Sequence, residues 1–242
     1  MAGSRPFSAP AAAAAASPGV AAVSGWRRWH ALLGAVPLAG YLFLHLGAQA
    51  LALAAGPEQR ALESAWERRP FWDGLVFAFV LLPLAAHAGL GLWRMTRASN
   101  DALWPAPLGR PLQRASALVL LLFLGAHVWQ LGGRRWLGEL ARADYLAELC
   151  GSLSSTLFGG VPLVALGYLL GIAAAAVHVA QGLYHVSLSF GLVGEARRER
   201  LGRVCLLCGI FTFAVGALIV VRLATGSLAV GLAGANMAPP SP

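Results

Sequence analysis

The sequence predicts an all-α integral membrane protein built as a bundle of five transmembrane helices. Of the 242 residues, 58% are hydrophobic and only 12% are charged, about half the charged fraction of an ordinary soluble domain. Because the mean hydropathy is also high, at +0.67, the composition excludes a soluble enzyme, a disordered chain and a disulfide scaffold. A helix needs about 20 apolar residues to cross a bilayer, and five such runs occur, at residues 31–55, 71–93, 115–131, 161–192 and 204–225.

The remaining segments predict the ends and connections of this bundle. Residues 1–25 contain an alanine run interrupted by proline, serine and glycine, with no Leu, Ile or Trp, which is typical of a flexible tail. Residues 26–228 then form the five-span domain, and residues 229–242 form a second flexible tail. Short helices at the membrane surface are expected at residues 58–69 and 136–149, since no soluble domain fits between two spans.

The arginines predict the orientation of the bundle. The net charge is +8, and all 18 basic residues are arginine. With the N-terminus inside, 11 of them fall on the inner side with three acidic residues, whereas seven fall outside with the other seven acidic residues. Because the inner loops of membrane proteins carry the excess of positive charge, we expect a cytoplasmic N-terminus.

Histidine side chains inside the apolar runs point to the chemistry. Ionisable side chains are costly inside a bilayer and are usually functional there, yet each of the first four runs contains at least one. They are His45, His87 and His127, with both His178 and His185 in the fourth run. A single intramembrane histidine can serve helix packing alone, but histidines in four successive spans indicate a function.

The depths of these histidines sort them into two layers. His45 and His127 lie 17 and 13 residues beyond the last arginine at the inner end of their spans, which places them in the outer half of the bilayer at about 1.5 Å per residue. His87 lies only seven residues from its inner arginine, and His178 lies slightly inside the middle of its span. We therefore expect an outer pair, His45 with His127, and an inner pair, His87 with His178.

Two layered pairs of imidazoles are what two bis-histidine haems require. Two axial histidines leave no open position on the iron, which favours electron transfer over oxygen chemistry. A dinuclear metal centre would need carboxylates beside the histidines, which the span interiors lack. Small residues beside His87 and His178 serve either close helix packing or admission of a flat macrocycle, and both uses stay open for Gly91, Gly171 and Gly182.

Each of the first four spans carries a motif around or near its histidine. The motifs read Arg28-Trp-His-Ala-Leu-Leu-Gly34, Leu82-Pro-Leu-Ala-Ala-His87, Gly125-Ala-His-Val-Trp129 and His178-Val-Ala-Gln-Gly-Leu-Tyr184. Intervals of 42 and 40 residues separate the first three intramembrane histidines. These motifs and intervals resemble a known family, the two-haem cytochrome b subunit of bacterial succinate dehydrogenase, of the single-chain, five-helix type that is similar to the cytochrome b of some fumarate reductases. The resemblance runs from about residue 26 to residue 228.

The resemblance implies a cofactor set, partners and a location. It implies two haems b, with His87 and His178 on the haem nearer the cytoplasm and His45 and His127 on the outer haem. It implies a flavoprotein and an iron–sulfur subunit on the cytoplasmic face of the bacterial inner membrane, where succinate is oxidised. Electrons would then reach a membrane quinone, and menaquinone is the expected one.

Further residues have more than one interpretation. His185 lies two turns from His178 on roughly the same face and is either an alternative ligand or a contact to a haem propionate. Arg28 and Arg94 are topology signals that can also pair with propionates. Glu67, in the outer loop between the first two spans, is the candidate for proton exchange with quinone, although a solvated loop acid has the same appearance.

Two functions of other classes also remain open. The same histidines would suit a haem-b membrane subunit of another dehydrogenase, such as formate dehydrogenase or a hydrogenase. A haem-free transporter or anchor could use histidines as proton relays, although the sequence shows no convincing internal repeat of the kind that transporters often have.

Some fumarate reductases carry a glutamate two residues before the ligand of the fourth span, but this chain has Ala176 there.

Overall fold

The computed structural model describes residues 25–54, 70–97, 108–141, 144–157 and 160–225. Within these ranges, five helices are long and apolar enough to cross a membrane, so the predicted all-α, five-span fold is confirmed. We number the spans in chain order, and they comprise Arg28–Leu51, Phe71–Thr96, Arg110–Trp136, Leu163–Ser189 and Glu195–Ala224. The two predicted tails fall outside the described residues, apart from Gly25, which begins the first helix.

The first three spans are α-helices interrupted by short π-helical segments. In the first span, Ala35–Gly40 separates helices Gly25–Gly34 and Tyr41–Ala54. In the second, Phe77–Leu81 separates Pro70–Val76 and Leu82–Thr96. In the third, Trp129–Gly133 separates Arg110–Val128 and Arg134–Trp136. Proline accounts for the first two interruptions, since Pro37 lies within one and Pro83 is the second residue after the other. A proline donates no backbone hydrogen bond, and the helix adjusts its pitch around the missing bond.

The fourth span is one α-helix, Leu163–Ser189. The fifth span is the α-helix Arg198–Ala224, preceded by the 3-10 turn Glu195–Arg197. Gly191 follows the end of the fourth helix with φ of 66°, a left-handed conformation that commonly terminates helices and that glycine adopts without strain. The third and fifth helices begin five and six residues before their apolar runs, at Arg110 and Arg198, because arginine is a good helix former that continues a helix beyond the bilayer core.

The loop after the third span differs from the prediction. Trp136 ends the third span instead of starting a surface helix, and Gly138 then adopts φ of 77°. The short helix that follows is Tyr145–Ser154, displaced from the predicted residues 136–149, because the positive φ at the glycine interrupts the helical path. The other predicted surface helix, at residues 58–69, lies outside the described residues.

Small residues let the fourth span pack closely against the third and fifth. A Cβ atom added at Gly209 would lie 3.0 Å from the backbone oxygen of Ala176, and one at Gly216 would lie 2.7 Å from Ile172. Such close backbone approach is typical of packing between membrane helices. At the end of the bundle away from Gly25, Arg135 pairs with Asp73 and so joins the third span to the second.

Candidate functional site

The fold brings four intramembrane histidines together as two facing pairs. The rings of His87 and His178 have centroids 6.1 Å apart, and those of His45 and His127 have centroids 6.2 Å apart. These are the pairs predicted from the depths of the residues in their spans. We call His87 with His178 the proximal pair, because it lies nearer the end where the chain enters the first span, and His45 with His127 the distal pair.

The separation within each pair suits two ligands on one metal ion. Two imidazoles that bind a metal ion from opposite sides, each at about 2.0–2.1 Å, have ring centroids about 6 Å apart. The rings are steeply inclined, by 83° in the proximal pair and 69° in the distal pair. By contrast, His30 stacks on His87 at 4.2 Å with an angle of 10°, which leaves no space for an ion between those two rings.

A backbone hydrogen bond sets the tautomer of His87. Its Nδ1 lies 2.8 Å from the carbonyl oxygen of His30. A carbonyl oxygen only accepts hydrogen bonds, so Nδ1 must carry the proton and donate it. Nε2 is then left with a lone pair, the form in which histidine binds metals. Metal-ligating histidines usually donate their other ring N–H to a carbonyl or carboxylate, as Nδ1 of His87 does here.

A tyrosine and a glutamine set the tautomer of His127 in the same way. The Tyr168 hydroxyl donates to Oε1 of Gln130 at 2.8 Å, and it lies 3.1 Å from Nδ1 of His127. Because a hydroxyl has one proton, Tyr168 accepts the hydrogen bond from Nδ1. Nε2 of His127 therefore also keeps its lone pair.

His178 contacts the side-chain amide of Gln113. Nε2 of Gln113 lies 3.3 Å from Nδ1 of His178, while Oε1 of Gln113 is buried without a hydrogen-bond partner among the described residues. Half a turn of this amide would place Oε1 against Nδ1, which would satisfy the oxygen and leave Nε2 of His178 available as a ligand. With its amide in that orientation, Gln113 would hold His178 in the tautomer that binds a metal ion.

A cavity of about 900 Å³ lies beside the proximal pair. Its lining includes His87 and His178 and is mostly apolar, as is usual for cofactor sites of this size. Gly91 and Gly182 line it, whereas Gly171 packs against the ring of Phe123 instead. Of the two uses that the sequence left open for these glycines, Gly171 therefore serves close helix packing. Gly91 and Gly182 instead leave space in the cavity.

Basic side chains line the same cavity toward the N-terminal end of the bundle. They are His30, Arg94, Arg110, Arg114 and His185. Arg28, also expected near a cofactor, is not among the lining residues, and its guanidinium lies 5.8 Å over the Phe190 ring. Arg110 is one of the 11 arginines that predict the inner side, and its spacing of four residues from Arg114 places both on one helix face.

His185 and Glu67 are the remaining candidates from the sequence. The ring of His185 lies against Tyr184, with centroids 5.6 Å apart, and it is His178 that faces His87. Glu67 lies outside the described residues. No cluster of three or more His, Cys, Asp or Glu side chains occurs in the described part of the chain.

These features define a class of protein, a five-helix membrane protein with two facing pairs of intramembrane histidines. The chain is 26% identical over 179 residues to the succinate dehydrogenase cytochrome b558 subunit of Bacillus subtilis (strain 168). The alignment covers 73% of this chain and 84% of the Bacillus protein, and it confirms the resemblance predicted from the sequence. No protein-family model and no solved structure matches the chain.

Proposed function

We propose that the chain is the membrane-anchoring cytochrome b subunit of a succinate dehydrogenase, a succinate:quinone oxidoreductase, and that it binds two haems b. The observation that carries this proposal is the pair of histidine separations, 6.1 and 6.2 Å, each compatible with two ligands on one iron. The similarity to the Bacillus cytochrome b558 subunit supports the choice of succinate dehydrogenase over formate dehydrogenase or a hydrogenase.

In this proposal the four histidines would hold the haem irons, His87 and His178 that of a proximal haem and His45 and His127 that of a distal haem. When bound, the haems supply one-electron carriers between the iron–sulfur subunit and a membrane quinone. The protein holds Nδ1 of His87 and of His127 by hydrogen bonds to His30 and Tyr168. These bonds fix the ring orientation before the cofactor arrives, which lowers the cost of ligation.

The arginines of the cavity have a defined role in the proposal. Arg94, Arg110 and Arg114 line it, and guanidinium groups bind carboxylates through strong, charge-assisted hydrogen bonds. They would hold the propionates of the proximal haem at the N-terminal end of the bundle, with His185 as a further contact. Arg28, whose guanidinium lies over the Phe190 ring, does not line this cavity.

The proposal also assigns partners to the two ends of the bundle. The N-terminal end is cytoplasmic, in keeping with the excess of arginine there, and carries the flavoprotein and the iron–sulfur subunit. Quinone, expected to be menaquinone, reacts at the opposite end beside the distal pair, with Glu67 as the group that exchanges protons. The membrane is the bacterial inner membrane.

The experiment that tests this function is a redox titration of the visible spectrum, made on the purified complex and on its histidine variants. His127→Ala should remove the distal haem and leave succinate oxidation with artificial acceptors, because the flavoprotein lies at the other end. His178→Ala should remove the proximal haem, while the control His185→Ala should retain both. Retention of both haems in His178→Ala, or copurification with a formate dehydrogenase or hydrogenase, would contradict the proposal.

A further inference from the structure

The structure assigns Tyr168 as a positioning residue for the distal haem ligand, with Gln130 as the group that orients the tyrosine. We infer that this relay holds His127 in the tautomer that binds iron and that it lowers the reduction potential of the distal haem. The inference rests on the proposed function, since it concerns the residues behind one of the proposed ligands.

The relay is a chain of two hydrogen bonds between the third and fourth spans. Nδ1 of His127 donates to the Tyr168 hydroxyl at 3.1 Å, and that hydroxyl donates to Oε1 of Gln130 at 2.8 Å. Gln130 lies three residues after His127 in the third span, so both ends of the relay are on one helix. The tyrosine, on the fourth span, is therefore fixed from two sides.

Ring packing keeps the tyrosine in this position. The Phe123 ring meets the Tyr168 ring edge-on at 5.3 Å and stacks on the His127 ring at 5.6 Å. Tyr168 also packs against the apolar cluster that contains Leu153 and Ala165. The hydroxyl consequently has little freedom to leave His127, and the low dielectric of the interior strengthens a hydrogen bond that is formed there.

The direction of the hydrogen bond determines its effect on the haem. An acceptor at Nδ1 draws the proton partly away from the imidazole and makes Nε2 a more basic ligand. A more basic axial ligand stabilises ferric over ferrous iron, which lowers the reduction potential. The donation from Tyr168 to Gln130 polarises the hydroxyl and makes its oxygen the better acceptor.

The ligands His87 and His127 differ in this respect. The proximal ligand His87 is oriented by the backbone carbonyl of His30, which side-chain substitution does not remove. The distal ligand His127 is oriented by a side chain, so its hydrogen bond can be deleted by removing one oxygen atom. Tyr168→Phe is that deletion and leaves the ring and its packing in place.

The test is a spectroscopic redox titration of both haems in the assembled complex carrying Tyr168→Phe. We expect the midpoint potential of the distal haem to rise and that of the proximal haem to stay unchanged. The matched control is Tyr184→Phe, which removes a phenol oxygen from the same helix beside His185 and should leave the distal haem unchanged. Gln130→Leu should raise the distal midpoint less than Tyr168→Phe, and the double variant should equal Tyr168→Phe alone, because Gln130 acts through the tyrosine.

Each outcome bears on the relay. Loss of the distal haem in Tyr168→Phe with both haems retained in Tyr184→Phe would support a positioning role. An unchanged or lowered distal midpoint in Tyr168→Phe would overturn the inference, and so would additive shifts in the double variant. If Tyr168→Phe fails to assemble, the distal midpoint in Gln130→Leu decides, and no change there would refute the relay. A wild-type complex without haem would instead refute the proposed function.

Discussion

Gly34 offers a sharp test of the proximal site, because it lies on the first span directly against the His87 ring. A Cβ atom added at Gly34 would lie 2.6 Å from Nδ1 and 3.0 Å from Nε2 of His87. Ordinary contact begins at about 3.5 Å, so in Gly34→Ala the ring would have to retreat by about 1 Å. The methyl group would also crowd the hydrogen bond from His87 to the His30 carbonyl.

The size of the effect follows from the overpacking alone. Alanine is favoured over glycine in a helix by about 1 kcal/mol, but this preference is the same with and without haem, whereas overpacking a buried contact costs about 1–3 kcal/mol. Metal–ligand distances are held within about ±0.2 Å, so a retreat of this size falls mainly on the ligand bond. At 1.4 kcal/mol for each factor of ten, we expect the proximal haem to bind about 5- to 150-fold more weakly.

The assay is haem content per chain together with the redox-resolved visible spectrum of the purified complex. Gly34→Ala should lose proximal haem or shift its midpoint, while the distal haem stays intact. Gly40→Ala is the matched control on the same span, since a Cβ there meets no atom within 4 Å, and it should bind both haems normally. A Gly34→Ala complex with two unaltered haems would refute the assignment of His87 as a ligand.

Three further predictions follow from other parts of the molecule. Quinone reduction by succinate in sealed vesicles should slow under an opposing membrane potential and recover with an uncoupler. Charge transfer against the potential costs about 2.3 kcal/mol per 100 mV, and Ala176 stands where an acid would be needed to carry a compensating proton. A reduction rate that does not depend on the potential would contradict this prediction. Arg110→Gln or Arg114→Gln should lower the proximal midpoint, because removing nearby positive charge disfavours reduction, whereas Arg203→Gln, paired with Glu199 outside the cavity, should not. Gly209→Val should lower the thermal unfolding midpoint by crowding the Ala176 backbone, at a cost of about 1–3 kcal/mol. The control is Gly167→Val, where space is open, and equal stability of the two variants would count against the described packing.

The spans and the histidine pairs could be predicted because simple physical rules determine them. Bilayer thickness sets the length of an apolar run, and the fixed rise of a helix converts position in the sequence into depth. His45 and His127 therefore had to lie at similar depths, apart from His87 and His178. Because an ionisable group is costly inside the bilayer, the histidines within the spans could be recognised as candidate functional residues among all polar residues of the chain.

The partners of the histidines could not be predicted in the same way. Tyr168, Gln130 and Gln113 are polar residues near the ends of spans, where such residues are common without a special role. Whether they meet a histidine depends on the rotation of each helix about its axis, which packing contacts such as Phe123 against Gly171 determine. The displaced helix Tyr145–Ser154 depends likewise on one backbone conformation, the positive φ at Gly138.

The measurement that tests the central claim most directly is the haem stoichiometry of the purified complex by the pyridine haemochrome method. Two facing histidine pairs, at 6.1 and 6.2 Å, predict two haems b per chain, both low-spin because each iron would have two imidazole ligands. A value of two per chain is the expected result. A value of one or of zero would contradict the account of the site.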